Sequence, residues 1–269
     1  MSDDRLDLSI VIACYNEEPL LEDSVRQLVE ILDSTRWRYE LIFVDDCSRD
    51  RTREIIDALI ARYSDKAFRG LWHEHNKGRG GTVADGIRMS RGDVVGYIDI
   101  DLEVHARYIP QMVLAIQNGA DVATALRVYK IQPRLFNRFI LSQGYVRLMR
   151  RLLQVDLMDT ETGFKFFDRR RIMPVLDQTQ DERWFWDTEI MVRSSLKGYR
   201  IEEIPCLFIR RYDKRSSVNV LRDTFEYFVT LWKFRSVVKQ VRLAEQQRGG
   251  LPAAGVQFQE SRGTHSLES

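Results

Sequence analysis

Asp99-Ile100-Asp101 follows directly on the apolar run Asp93-Val-Val-Gly-Tyr-Ile98. In an extended strand, residues two apart point the same way, so this spacing predicts two carboxylates converging at one strand end. Paired carboxylates repel unless a cation lies between them. A divalent metal with a diphosphate on its far side satisfies both, which points to an enzyme handling a nucleotide-diphosphate donor. Four further segments carry polar groups in loops. Ala13-Cys-Tyr-Asn-Glu17 and Val44-Asp-Asp-Cys-Ser-Arg-Asp50 each close an apolar run. An acceptor carboxylate in the second suits the ring N–H of a base or the ribose hydroxyls. His75-Asn-Lys-Gly-Arg-Gly-Gly81 places glycines at a helix entrance, where a diphosphate can approach the backbone and Lys77 or Arg79 adds charge. Asp159-Thr-Glu-Thr-Gly-Phe-Lys165 is the last, with Trp184-Phe-Trp-Asp-Thr-Glu189 beyond it.

The elements that must position these loops alternate. Strands are expected at 8–13, 39–44, 68–72, 93–98 and 121–126. Helices are expected after Pro19, after Ser48 or Asp50, from the glycine turn to Ser90, and over 108–117. That order predicts a mostly parallel sheet covered by helices, with ligands at the carboxyl ends of its strands. The second half reads as a helix over 134–154, a strand over 163–167, helices over 169–176 and 186–197, and strands over 200–204 and 206–210. The expected division is a catalytic α/β domain over 1–219, an amphipathic helix over 220–246 and a disordered tail over 247–269.

With 41 basic and 40 acidic residues the net charge is +1, so charge gives no argument for a nucleic-acid partner. Cys14, Cys47 and Cys206 lack metal-ligand spacing and read as free thiols of a reducing compartment. No run reaches the ~18–20 apolar residues of a membrane span, and the N-terminus does not resemble a signal peptide. A cytoplasmic protein is expected. The aromatic and basic last helix is expected to pack in its first half and to touch a membrane surface in its second.

Taken in order, Tyr15-Asn16-Glu17, Asp45-Asp46-x-Ser48-x-Asp50, Asn76-x-Gly78-x-Gly80 and Asp99-x-Asp101 resemble the inverting nucleotide-sugar glycosyltransferases of family 2, which have the GT-A fold. The segments 76–81, 159–167 and 182–189 are similar to the dolichyl-phosphate glucosyltransferase and mannose synthase branch, and the resemblance spans residue 8 to about 217. It implies nucleotide contacts from Ala13, Tyr15, Asn16, Glu17, Asp45, Asp46, Lys77, Gly78, Arg79, Asp99 and Ile100. It implies Mg²⁺ or Mn²⁺ on Asp99, Asp101 and Glu103, with Asp101 catalytic. The donor would be a UDP- or GDP-sugar and the acceptor a polyprenyl phosphate, cradled by Arg127, Lys165, Arg211, Lys214 and Arg215. A phosphate acceptor is already anionic and needs no base, whereas a sugar or natural-product hydroxyl would want one, for which Asp187 and Glu189 are the carboxylates. A non-catalytic nucleotide-binding module is the remaining reading. The chain departs from the branch at Arg211-Tyr-Asp-Lys-Arg-Ser-Ser217, where a Gly and a terminal Lys are replaced, at Ala13 in place of Pro, and at Leu102–Arg107 after the paired aspartates.

Overall fold

Leu8–Cys14 is apolar at almost every position because both faces of its strand are covered, the pattern of a parallel sheet between two helix layers. A computed structural model of the chain describes residues 5–129, 149–211 and 220–247. Its strands are β1 (Leu8–Cys14), β2 (Tyr39–Asp45), β3 (Ala67–Trp72), β4 (Val94–Ile98), β5 (Val122–Tyr129), β6 (Phe164–Asp168) and β7 (Ile201–Phe208). They form one sheet in the order β3-β2-β1-β4-β6-β5-β7. β3, β2, β1 and β4 run parallel, β6 is antiparallel to both β4 and β5, and β7 is parallel to β5.

The helices are α1 (Leu21–Asp33), α2 (Thr52–Arg62), α3 (Arg79–Met89), α4 (Ile109–Gln117), α5 (Arg169–Leu176), α6 (Trp186–Leu196) and α7 (Val220–Gln247). Strand alternation sorts the core into two halves. Leu8, Ile10 and Ile12 face α1, α2 and α4, while Val11, Val95 and Tyr97 face α3, α5, α6 and α7. Between β1 and β4 the chain changes direction across the sheet, so the loops after these strands open a crevice at their carboxyl ends.

Two strands expected over 200–204 and 206–210 are one continuous strand, β7. Pro205 is tolerated within it because β7 is the sheet's edge. Tyr227, Leu231, Phe234 and Val238 recur on one face of α7 and pack on the second core half, with Phe185 against the rings of Tyr227 and Phe234 at 5.2 and 5.4 Å. Packing therefore runs past the middle of the helix, while Trp232 on another face is exposed. No helix among the described residues is long and apolar enough to cross a membrane. Of the helix expected over 134–154, residues 149–153 are helical and 134–148 lie outside the described residues, as does 248–269 of the expected tail. The three cysteines are free thiols.

Candidate active site

β1 and β2 end side by side, with Cys14 in register with Asp45, and the loops that follow are stapled together. Asn16 takes a left-handed φ of 57°, which asparagine tolerates better than most residues. Its N–H donates to Ser48 Oγ at 2.9 Å, and its side-chain oxygen accepts Arg49 N–H at 2.7 Å. Glu17 N–H donates to Thr52 Oγ1 at 2.8 Å and Glu18 N–H to Asp50 Oδ2 at 3.1 Å. Tyr15 stays exposed beside this seam, whereas the side chains of Glu17 and Asp45 are buried in it. Ala13 lies in β1 opposite Val44.

Asp46 acts on the glycine loop. Its carboxylate accepts Lys77 N–H at 2.8 Å and Gly78 N–H at 2.9 Å and meets His73 Nδ1 at 2.8 Å. Part of this loop is occupied by protein. Gly78 has φ 88°, and a Cβ there would lie 2.7 Å from the Glu182 carbonyl oxygen. A Cβ on Gly80 would lie 2.4 Å from Trp186 Cβ. Gly81 N–H already donates to Glu182 O at 3.0 Å. The glycines let the 182–186 segment sit against the start of α3, and Lys77 Nζ pairs with Asp85 at 2.7 Å. Arg79, the first residue of α3, reaches away from the loop toward β4.

The paired aspartates reach the crevice by a turn, which corrects the strand-alternation argument. β4 ends at Ile98; Leu102 N–H donates to Asp99 O at 3.1 Å, and Leu102 has φ 52°. Ile100 points into the core. Asp99, Asp101 and Glu103 line one cleft of about 350 Å³ open to solvent, together with Arg127, Glu161, Thr162, Gly163 and Phe208. They do not form the expected three-carboxylate cage, for among the described residues no three Asp, Glu, His or Cys side chains converge on a common point. Glu103 Oε1 accepts Arg211 N–H at 2.9 Å, and Arg211 Nη1 donates to Asp101 O at 3.3 Å, strapping the end of β7 to the cleft floor.

Behind the cleft lies a charged chain. Arg79 donates Nη2 and Nε to Asp99 Oδ1 at 2.7 and 3.1 Å, and Nη1 to Asp187 Oδ2. The other oxygen of Asp187 accepts the Tyr97 hydroxyl and Lys165 Nζ, the latter at 2.9 Å. Tyr97 and Lys165 are cross-strand neighbours of β4 and β6 on the face that α6 covers, which explains a lysine inside an otherwise apolar strand. Burial would raise the Asp187 pKa, but Arg79 and Lys165 outweigh it and hold the carboxyl below the usual range. Burial lowers the Lys165 pKa despite Asp187. For Arg79, burial opposes the charge while Asp187 and Asp99 more than restore it.

Neither proposed base is therefore placed as a free carboxylate. Asp187 is enclosed by those three partners. Glu189 is buried, accepting Gln180 N–H at 3.1 Å, Asp181 N–H at 2.8 Å and Arg193 Nε at 2.7 Å. The expected phosphate cradle also contracts. Lys165 is fully buried on Asp187, and Arg127 is held in a fork by Asp159 at 2.6 and 2.8 Å. Arg211 remains at the cleft, while Lys214 and Arg215 lie outside the described residues. Sequence reasoning assigned no role to Tyr97, Glu161, Thr162 or Phe208. Their signal was the 159–165 motif and the strand phase that sets Tyr97 beside Lys165.

The sequence model described as glycosyl transferase family 2 matches residues 9–173. The chain belongs to that family. This family 2 transferase is 34% identical to the glycosyltransferase AglD of Haloferax volcanii over 81% of its own length but only 35% of AglD's. It is 28% identical to a dolichyl-phosphate beta-glucosyltransferase of Dictyostelium discoideum, covering 87% of this chain and 78% of that one. It is 32% identical to a dolichol-phosphate mannosyltransferase of Pyrococcus furiosus, covering 58% and 45%. The chain thus spans about a third of AglD and most of the Dictyostelium protein. Its fold matches glucosyl-3-phosphoglycerate synthase from Mycobacterium tuberculosis in complex with UDP, with TM-score 0.62 and 17% identity over 86% and 80% of the two chains. The same enzyme with Mn²⁺, UDP and glucosyl-3-phosphoglycerate gives TM-score 0.55 and 18% identity over 92% and 81%. The fold is GT-A and the enzyme a glycosyltransferase. Its cleft fits a hard divalent cation: the side-chain donors that could ligate one there are all oxygens, the carboxylates of Asp99, Asp101, Glu103 and Glu161 and the Thr162 hydroxyl. Without a three-carboxylate cage, the fit is that of an ion held by one or two protein carboxylates and completed by phosphate oxygens and water.

Proposed function

We propose that this glycosyltransferase moves a hexose from a UDP- or GDP-sugar to a polyprenyl phosphate, with inversion at the anomeric carbon. The observation that carries the acceptor class is the fate of the two candidate bases. Asp187 is enclosed by Arg79, Lys165 and Tyr97, and Glu189 by Arg193 and two backbone N–H groups. A phosphate oxygen is anionic at neutral pH and attacks without a base, so enclosure of both carboxylates costs such a reaction nothing. The names carried by the Dictyostelium and Pyrococcus relatives support the same class.

In this reading Tyr15, Glu17 and Asp45 hold the nucleoside at the β1–β2 end, and Asp46 keeps the glycine loop in place behind it. Asp101 and Asp99 would hold Mg²⁺ or Mn²⁺, which when bound neutralises the charge on the leaving diphosphate. Arg211 at the rim draws the acceptor phosphate toward the cleft, and Phe208 shields one side of it. An acceptor with a long apolar tail fits a protein that works at a membrane surface from the cytoplasmic side.

The test is transfer from labelled UDP-glucose and GDP-mannose to dolichyl phosphate with Mn²⁺ present. Label entering the organic phase from one donor supports the proposal. Label recovered only in water-soluble glycosides, with dolichyl phosphate untouched, rejects it.

A further inference from the structure

Glu203 stands in β7 opposite Thr124 of β5, outside every motif read from the sequence. Its carboxylate reaches the turn that opens the 159–165 segment. Oε1 accepts Met158 N–H at 2.8 Å and Asp159 N–H at 2.9 Å, and Oε2 lies 3.1 Å from the first of these. Burial pushes the Glu203 carboxyl up, against the two N–H bonds that favour the anion. An acid on an open surface would avoid that cost.

Arg127 depends on this turn. Its Nε and Nη2 donate to Asp159 Oδ2 and Oδ1 at 2.6 and 2.8 Å. The rings of Phe208 and Tyr129 lie 5.7 and 6.0 Å from its guanidinium carbon. Arg127 and Phe208 both line the cleft. The fork uses one edge of the guanidinium, so the two Nη1 hydrogens remain for an anion in the cleft. Where Arg127 sits therefore follows where Asp159 sits, and Glu203 fixes the backbone of Asp159. The rest of the loop is anchored elsewhere. Thr160 is buried with its hydroxyl 2.8 Å from that of Thr188, and the Gly163 carbonyl accepts Asp99 N–H at 2.8 Å. A disturbance at Glu203 reaches Arg127 and stops short of Asp99.

We propose that Glu203 is a positioning residue for the acceptor: through the backbone of Asp159 it sets where Arg127 meets the acceptor's phosphate. The inference rests on the acceptor half of the proposed function. Glu203 touches no substrate itself; it supports a residue that does.

The experiment is steady-state transfer from the accepted donor to a polyprenyl phosphate with Mn²⁺ present, acceptor and donor being varied in turn. Glu203→Ala is expected to raise the acceptor KM on the order of tenfold, with the donor KM and kcat changed less than about threefold. Glu203→Asp keeps the charge but draws the carboxylate back by one methylene. It is expected to raise the acceptor KM about fivefold, and it decides the matter if Glu203→Ala does not fold. A staple that only stabilised the fold would lower the active fraction, which scales kcat and leaves both KM values in place. Folded variants with an unchanged acceptor KM overturn the proposal, and so does an equal rise in both KM values. Wild-type protein that transfers nothing to polyprenyl phosphate removes the acceptor reading itself, and the role of Glu203 with it. Wild-type transfer with an acceptor KM indifferent to both substitutions removes only the part assigned to Glu203.

Discussion

The ammonium of Lys165 lies 2.9 Å from the carboxylate of Asp187 and has no exposed surface. This pair, with Arg79 on the far oxygen of Asp187, joins the β4 end that carries Asp99 to the helix α6 that backs the cleft. Removing one member of a buried ion pair leaves the other charged and desolvated. Asp187→Asn is expected to destabilise the fold by about 3–5 kcal/mol. Urea unfolding followed by tryptophan fluorescence measures it. A loss below about 1 kcal/mol, the size of an exposed pair, would contradict the enclosed geometry.

Acid should reveal the same carboxylate. Asp187 has its pKa lowered in the folded protein, with Arg79 and Lys165 prevailing over burial. Between that value and the ordinary ~3.9 the unfolded chain binds the extra proton, so stability contributed by Asp187 is complete above ~3.9 and is lost as pH falls through the folded value. The wild-type urea midpoint is expected to fall more steeply than that of Asp187→Asn as pH is taken downward from about 5. Parallel curves would show that the carboxyl is not held low.

Glu189 separates structural from chemical roles. Glu189→Gln keeps an oxygen for the Gln180 and Asp181 N–H groups and loses the charge facing Arg193. A stability loss of about 1–3 kcal/mol is expected, with kcat changed less than about threefold. A fall in kcat of a hundredfold or more, in the range of a lost general base, would mark Glu189 as catalytic.

Gly163 has no room for a methyl group. Its added Cβ would overlap Asp99 Oδ2 and lie 2.5 Å from Arg79 Nη2. Gly163→Ala is expected to push Asp99 from its place and reduce kcat on the order of a hundredfold, as small displacements at a reacting centre do. Steady-state rates with saturating donor test this, and near-wild-type turnover would contradict the close approach.

Asp46→Ala removes the acceptor for two backbone N–H groups of the glycine loop and the partner of His73. The loop is expected to loosen, with a stability cost of about 1–3 kcal/mol and a raised KM for the nucleotide sugar. An unchanged KM in a folded variant would separate the loop from donor binding.

The layered fold was legible in the sequence because strands covered on both faces carry unbroken apolar runs, as residues 10–14 and 41–44 do. Pro205 misled, since only the place of β7 at the sheet's edge makes a proline acceptable there. The order of the motifs also marked the crevice. Their partners were hidden. Arg79 meets Asp187 across 108 residues, and the glycine loop is filled by a segment about a hundred residues downstream. Local pattern shows that a residue is charged or small but not what it touches, so the partners that enclose Asp187 and Glu189 and the segment that packs on Gly78 and Gly80 are not legible from it. The turn after Ile98 was lost for a similar reason: strand periodicity has no meaning once the chain leaves the sheet.

The most direct test compares two acceptors that differ in one group. With the donor that the enzyme accepts and Mn²⁺ present, a polyprenyl phosphate and the polyprenol of equal length are offered side by side. The expected result is a glycosyl phosphate lipid from the first and no product from the second. Transfer to the alcohol at a comparable rate would require a base, and would contradict an account in which Asp187 and Glu189 are both enclosed.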